Sequence, residues 1–376
     1  MATLRTILVT GSGGFLGSNL TQVLSTRDDI RVMEYEVHDS RENLDEALRV
    51  ADVVVHLAGV NRPKGSDEYM TGNVEFTQSI CDTLRAAHRN PQIIMSSSIQ
   101  AELDNPYGIS KRLAEEELNK FADETGAEVV VFRFKNMFGK WSRPNYNSVV
   151  ATFCYNQLHG LPLIVHDREK ELDLVYVDDV VDAVVREIDN DCFTPGFRFA
   201  DEMPSFRAKL GHLADKIMRF GHIREDGILP DLEDRFTKCL YSTYLSYLDG
   251  PDMAYALDQK TDPRGSLAEF IKSPHVGQIF ISRTKPGITR GNHYHHSKVE
   301  KFMVVEGSAL IRLRCVASGE VVEHQVSGKE FRVVDIPPGY THSIKNVGDS
   351  EMVVIFWANE VFDPRRPDTF FCEVDQ

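Results

Sequence analysis

Over the first 200 or so residues, short apolar runs alternate with segments whose apolar residues recur at helical spacing. Residues 6–10, 30–33, 53–57, 92–96 and 128–132 read as buried strands, and Phe15–Leu24, 74–89 and Pro106–Thr125 read as helices. This alternation predicts a parallel sheet wrapped by helices. Residues 201–248 read as mainly helical and turn, closing on the Tyr-rich stretch LYSTYLSYL. From about Ala254 the pattern changes to short alternating segments (278–283, 301–305, 309–315, 321–326, 331–336, 352–357) punctuated by Gly and Pro. That is the signature of an all-β sandwich or small barrel. The expected class is therefore α/β plus all-β, with domains at 1–248 and 253–376 and a boundary in LDGPDM, residues 248–253.

Composition narrows the setting. The chain has 376 residues, 42% of them hydrophobic, enough for two domains that each bury a core. A formal charge of −15, with no basic patch, disfavours nucleic acid and anionic membrane surfaces as partners. Six scattered cysteines without a CxxC pair suit a reducing compartment. No signal-peptide pattern and no long apolar run is present, so a cytoplasmic protein is expected.

Chemistry first enters at LVTGSGGFLGSNL, residues 8–20, where Gly11, Gly14 and Gly17 sit three apart between a strand and a helix. Bare amides at a helix N-terminus suit a phosphate that side chains would otherwise block. Ser12, Phe15 and Leu16 complete the turn. After the third strand, HLAG offers Leu57 and the small Ala58 and Gly59, over which the adenosine half of a dinucleotide could lie. Tyr107 and Lys111, in NPYGISK, are four apart and share a helix face. A nearby ammonium would stabilise the phenolate and pull the phenol's pKa toward neutrality, making Tyr107 an acid near pH 7. A serine from MSSSIQ, for which Ser98 is chosen over Ser97, would hydrogen-bond the substrate oxygen on which charge accumulates.

In their order, TGxxGxxG, HLAG, the serine run, YxxxK and RFKNMFG resemble the extended short-chain dehydrogenase/reductases acting on nucleotide sugars, over roughly residues 4–200. The resemblance implies that the glycines hold a pyrophosphate, Tyr107 is the acid, Lys111 binds the nicotinamide ribose and Ser98 orients the carbonyl. Only eight residues separate Ser98 from Tyr107, fewer than in most members, which leaves the choice between Ser97 and Ser98 open. YVDD, 176–179, also resembles a family feature, although Asp178 could equally cap the following helix. Beyond the second strand, VHDSR offers Asp39 for a ribose 2′-hydroxyl and Arg41 for a 2′-phosphate. The relatives' use of NADPH tips the expectation to NADPH and Arg41.

The second constellation is Gly287-x5-His293-x-His295-x4-Glu300-x6-Gly307, followed by Pro337-x-Gly339-x2-His342-x3-Asn346. Both stretches match cupin motifs. His293 and His295 point the same way from a strand, and Glu300 and His342 on neighbouring strands are expected to converge with them. Three imidazoles and a carboxylate suit Zn, Fe, Mn or Ni, with zinc the first choice. RGNHYH, 290–295, is also similar to the RGxHY stretch of metal-free keto-deoxy-sugar epimerases, where that histidine is the base. A metal-bound imidazole has no free lone pair, so His293 holds one of these posts and not both.

A ketone at C4 of a hexose acidifies C3–H and is itself reducible, so one substrate serves both domains, with epimerisation before reduction. The whole chain resembles bifunctional nucleotide-sugar enzymes of capsule-precursor synthesis. That implies C3 epimerisation of UDP-2-acetamido-2,6-dideoxy-β-L-arabino-hex-4-ulose, its reduction to the L-talose product, and a homodimer. Residues 145–148 (NYNS) read as diphosphate or sugar contacts. The competing reading is a nucleotide-sensing module joined to a metal-stabilised scaffold domain.

Overall fold

The computed structural model describes residues 4–63, 65, 67–190 and 192–375. It divides into two compact units, Met1–Met218 with Cys239–Leu248, and Arg219–Lys238 with Asp249–Gln376.

The first unit is built on a six-stranded parallel sheet in the order β2-β1-β3-β4-β5-β8. Its strands are β1 (Arg5–Thr10), β2 (Ile30–Tyr35), β3 (Val53–His56), β4 (Gln92–Ser98), β5 (Glu128–Phe134) and β8 (Gly196–Phe199). The apolar runs of the inner strands β1, β3, β4 and β5 are buried on both faces because helices cover both, whereas the edge strands β2 and β8 stay partly exposed. Leu16, Leu20 and Leu24 pack with Ile7, Val9 and Val180 on one side, while Leu44, Leu84 and Leu118 pack with Leu8, Val54 and Val131 on the other. Strand order reverses between β1 and β3, and ligands of open α/β sheets gather outside the carboxyl ends of the strands at such a point. A smaller sheet joins β6 (Asn136–Phe138), β7 (Glu171–Tyr176) and β9 (Phe206–Lys209). The last of these falls where helix and turn were expected. The helix expected over 74–89 is a π-helical segment, Met70–Glu75, running into the α-helix Phe76–Ala86.

The second unit holds two antiparallel sheets. One runs β10 (Gln259–Asp262), β11 (Gly265–Ser273), β12 (Gly277–Thr284), β19 (Met352–Ala358), β14 (Glu300–Glu306), β17 (Val333–Ile336). The other runs β16 (Val321–Ser327), β15 (Ser308–Cys315), β18 (Tyr340–Asn346), β13 (Thr289–Tyr294), β20 (Phe370–Phe371). Phe302, Val304, Val354 and Phe356 of the first pack against Ile311, Leu313 and Ile344 of the second. The expected barrel is thus a pair of sheets sharing a core, with no ladder joining them among the described residues. The expected boundary also shifts, because 219–238 groups with this unit. The reason is local: Lys272 N donates to Gly227 O at 2.9 Å and Leu229 N to Lys272 O at 2.8 Å, so residues 227–229 cover an edge of β11 that β10 is too short to pair.

Candidate active site and metal centre

In the first unit a cleft of about 910 Å³ opens at the carboxyl ends of the strands. Gly11, Gly14, Phe15, Leu16, Gly17, Leu57, Gly59, Ser98 and Tyr107 all line it. The glycine turn is as bare as a phosphate site requires. A Cβ on Gly17 would stand 2.1 Å from Gly11 O, so the helix can start only this close to the loop without a side chain. The helix Phe15–Leu24 carries no acidic residue in its own first turn, although the Glu36 carboxylate from the end of β2 takes the Gly13 amide of the preceding loop. Ser12 is buried beneath the turn, and Ala58 packs against Gly11.

Tyr107 stands in the first turn of Pro106–Thr125. Asn105 caps that helix, its side chain accepting from Gly108 N at 2.8 Å, Pro106 opens it, and Gly126 at φ 72° ends it. The half-buried phenol lines the same cleft as Ser98, whose hydroxyl favours the phenolate slightly. Ser97 is occupied elsewhere, donating to Glu115 Oε1 at 2.5 Å, and Glu115 is gripped by Arg133 at 2.6 and 3.0 Å. Ser97 and Ser98 both line the cleft with Tyr107, and of the two it is Ser97 whose hydroxyl is committed to Glu115.

Lys111 is buried, and its ammonium donates to Ser96 O at 3.1 Å. A Cβ on Gly59 would lie 3.0 Å from Lys111 Nζ and 2.8 Å from Asn73 Oδ1, so a side chain here would have to displace one or both of these groups. Burial lowers the Lys111 pKa to about 8 despite Glu115 nearby. The expected pull on the phenol is not seen: burial pushes Tyr107 up to about 12, the Ser98 hydroxyl only partly opposing it. Lys111 faces the Ser96 carbonyl, and the resting phenol is fully protonated. Below them His56 bridges Thr10 Oγ1 (2.8 Å) and Thr77 Oγ1 (3.0 Å), and burial first, then the Lys111 charge, lowers it to about 3, keeping it neutral.

Arg41, expected at the cofactor, is turned onto a neighbouring helix. Its guanidinium bonds Asp45 at 2.9 Å, Ser79 O at 3.0 Å and Thr83 Oγ1 at 2.6 Å. The end of β2 instead presents Glu36, which sequence reasoning missed. Its carboxylate accepts from Ser12 Oγ at 3.1 Å and from Gly13 N, and Asp39 in turn accepts from Glu36 N at 2.6 Å. Asp178 is not a helix cap but pairs with Lys140 at 2.5 Å. Tyr146, Asn147 and Ser148 line the cleft, with Ser148 also capping the helix Val149–Leu158, whereas Asn145 does not line it. Trp141, Arg143 and Tyr69, also unforeseen, line it too, and the Tyr69 ring lies 5.8 Å from that of Tyr107.

In the second unit His293, His295, Glu300 and His342 each offer a ligand atom, all within 4.8 Å of one another. His293 and His342 are paired across β13 and β18, where a bulge after Gly291 turns His293 toward its partner. His295 lies just past β13. Glu300 comes from β14 in the other sheet, not from a neighbouring strand as expected, so the cluster spans both sheets. Glu300 Oε2 lies 3.2 Å from His295 Nε2 and from His342 Nε2, yet all three atoms are buried without an aligned hydrogen bond. Orphaned donor atoms converging on one point fit a divalent cation. Burial alone would raise the Glu300 carboxyl, but the two imidazoles hold it below the usual range, and burial lowers His293 to about 4. Glu300 and His293 are thus favoured in their ligating forms, whereas at His295 burial is outweighed by the Glu300 carboxylate and the Asp368 carbonyl, which raise it, so a cation would have to displace a proton there.

Residues 7–194 match the NAD dependent epimerase/dehydratase family and residues 260–370 the polysaccharide biosynthesis C-terminal domain. A UDP-2-acetamido-2,6-beta-L-arabino-hexul-4-ose reductase of Pseudomonas aeruginosa is 41% identical over 98% of this chain and 99% of its own. The crystal structure of the capsular polysaccharide assembling protein CapF of Staphylococcus aureus superposes with a TM-score of 0.90 at 47% identity, over 98% of this chain and all of that one. CapF bound to the inhibitor 3-isopropenyl-tropolone gives 0.85 at 43% identity over 98% of this chain and 100% of that one. With its glycine-lined cleft and its four-donor cluster carried on two such matched regions, the chain belongs to the CapF family of nucleotide-sugar enzymes.

Proposed function

We propose that the chain reduces the C4 ketone of a UDP-linked 2-acetamido-2,6-dideoxy-hexulose, and that its second unit epimerises C3 of the same sugar beforehand. The observation that carries the reductase reading is the meeting of Tyr107 and Ser98 in the cleft that the glycine turn lines, with burial keeping the phenol protonated. A bound nicotinamide supplies the hydride. Ser98 holds the ketone oxygen, and Tyr107 gives it a proton as negative charge develops. Lys111 adds the positive charge that stabilises the phenolate left behind. Arg143, lying over the Tyr146 ring at 5.6 Å, and Lys135 face the cleft where a diphosphate needs cations. The sequence offered Asp39 and Arg41 alike and the resemblance tipped the choice to NADPH, but the Arg41 guanidinium is committed and β2 ends in the carboxylates of Glu36 and Asp39, a pairing that suits a ribose 2′-hydroxyl and therefore NADH.

In the second unit His293, His295, Glu300 and His342 would hold the metal, with zinc first among ions that accept three imidazoles and a carboxylate. The ion would supply Lewis acidity toward the ketone oxygen. A ligating His293 has no lone pair left, so the group that removes the C3 proton is another one. A reductase acting after epimerisation, in a cytoplasmic homodimer, completes the reading.

The test is product analysis. The full chain is incubated with the UDP-4-keto sugar in deuterated water, with and without reduced nicotinamide dinucleotide. Deuterium at C3 without the dinucleotide, and a C4 alcohol only with it, are the expected outcomes. Absence of C3 exchange removes the epimerase half, and absence of the alcohol removes the reductase half.

A further inference from the structure

We propose that Asp368 is a positioning residue of the four-donor centre, fixing both the orientation of His295 and the turn that connects His295 to Glu300. Asp368 lies about seventy residues downstream of the histidine motif, in a stretch no motif marks. It has a left-handed backbone at φ 40°, uncommon for a residue with a side chain and sustained here by many contacts. Its carbonyl oxygen accepts from His295 Nδ1 at 2.5 Å. A carbonyl only accepts, so the Nδ1 nitrogen carries a proton and Nε2, 3.2 Å from Glu300 Oε2, is the nitrogen turned to the cluster. Its carboxylate meanwhile accepts from the backbone N–H groups of His296, Ser297 and Lys298, each at 2.9 Å, and from Ser297 Oγ at 3.0 Å. These three amides belong to the turn between β13 and β14, whose far end carries Glu300.

One residue therefore grips a ligand by its main chain and the ligand-spacing turn by its side chain. The next residues reinforce the grip, since Phe370 and Phe371 pair as β20 with Tyr294 and His293 of β13. Lys298 Nζ adds a bond to Pro367 O at 2.8 Å. His295 and Glu300 come from opposite sides of a turn and must meet with Nε2 and Oε2 only 3.2 Å apart. Without the carboxylate, three amides in that turn lose their common acceptor and the spacing of the two ligands is no longer imposed. Ligand-orienting partners of this kind are worth about 10–100-fold in metal affinity.

Asp368 has this part only if the cluster holds a metal, so it rests on that reading. The test compares zinc affinity of the full chain, by competition with a chromophoric chelator, for the wild type, Asp368→Asn and Asp368→Ala. Asparagine keeps the size and tolerates the backbone but accepts fewer hydrogen bonds, and a fall of about tenfold is expected, with alanine nearer a hundredfold. The 15N shifts of the His295 ring in the metal-free protein are the second readout: Nδ1–H in the wild type, and a loss of that fixed state in the alanine variant, where nothing holds the backbone at φ 40° to present the carbonyl. Wild-type zinc affinity in both variants, even with a lowered melting temperature, overturns the role. A wild type that takes up no zinc overturns the metal reading and the role together.

Discussion

Lys111 and Tyr107 share one face of a helix, but the lysine ammonium is spent on the carbonyl of Ser96, 3.1 Å away, and burial leaves the tyrosine phenol near pKa 12. The two groups are arranged for proton donation from a neutral phenol. In the proposed reaction the lysine's charge is used when the phenolate appears, not before.

Tyr107→Phe is accordingly expected to lower kcat for ketone reduction by about 10²- to 10⁴-fold while leaving dinucleotide binding intact, as measured by single-turnover kinetics and fluorescence titration. Turnover within a factor of two of the wild type would remove the acid from the mechanism.

The two serines should part company. Ser98→Ala takes away the hydroxyl that faces Tyr107 and is expected to cost activity with little loss of stability. Ser97→Ala strips a partner from the buried Glu115 and should cost about 1–3 kcal/mol of stability, read by denaturant unfolding, with kcat largely kept.

Burial lowers Lys111 from 10.5 to about 8. Between these values the unfolded chain binds the proton more readily than the folded one, so this group makes stability rise with pH across that window. Below about pH 8 the buried charge is present and its full penalty is felt. Lys111→Met should therefore be more stable than the wild type at pH 7, by a difference on the order of 1–3 kcal/mol, and should lose that advantage by pH 10.5. Its reductase activity should fall by at least tenfold. An advantage that grows with pH would contradict the assignment.

The end of β2 decides the dinucleotide. With Glu36 and Asp39 there and Arg41 held by Asp45, kcat/KM should favour NADH over NADPH by tenfold or more, and Glu36→Ala should narrow that ratio. A preference for NADPH in the wild type would return the 2′-phosphate to Arg41.

Removing the metal should be felt locally. Chelation is expected to lower the melting transition of the second unit and added zinc to restore it, because a ligand at a hundred times its Kd contributes about 2.7 kcal/mol. His342→Ala should abolish the zinc-dependent shift.

Much of this was legible in the chain. Gly11 and Gly17 announce themselves because close backbone approach excludes a side chain there, Gly14 because it completes their spacing, and Tyr107 with Lys111 because helical period puts residues four apart on one face. The cluster of His293, His295, Glu300 and His342 was visible through spacing, yet Glu300 proved to come from the opposite sheet: period-two alternation reports which way a side chain points, not which sheet its strand joins. Asn73 gave no signal because it sits on a π-helical turn that breaks the 3.6-residue repeat, and there it binds Val60 N and Ser110 Oγ. Glu36 and Asp368 were hidden for another reason. Each acts on backbone amides far away in sequence, at Gly13 and at 296–298, and no local pattern encodes such a meeting.

Reduction by way of Tyr107 is tested most directly by supplying the full chain with a UDP-linked 2-acetamido-2,6-dideoxy-hex-4-ulose and a dinucleotide deuterated at its transferable position, then locating the label by NMR and mass spectrometry. The wild type should place one deuterium on C4 of the sugar, and Tyr107→Phe almost none in the same time. A product without label at C4, or equal labelling by the phenylalanine variant, would contradict it.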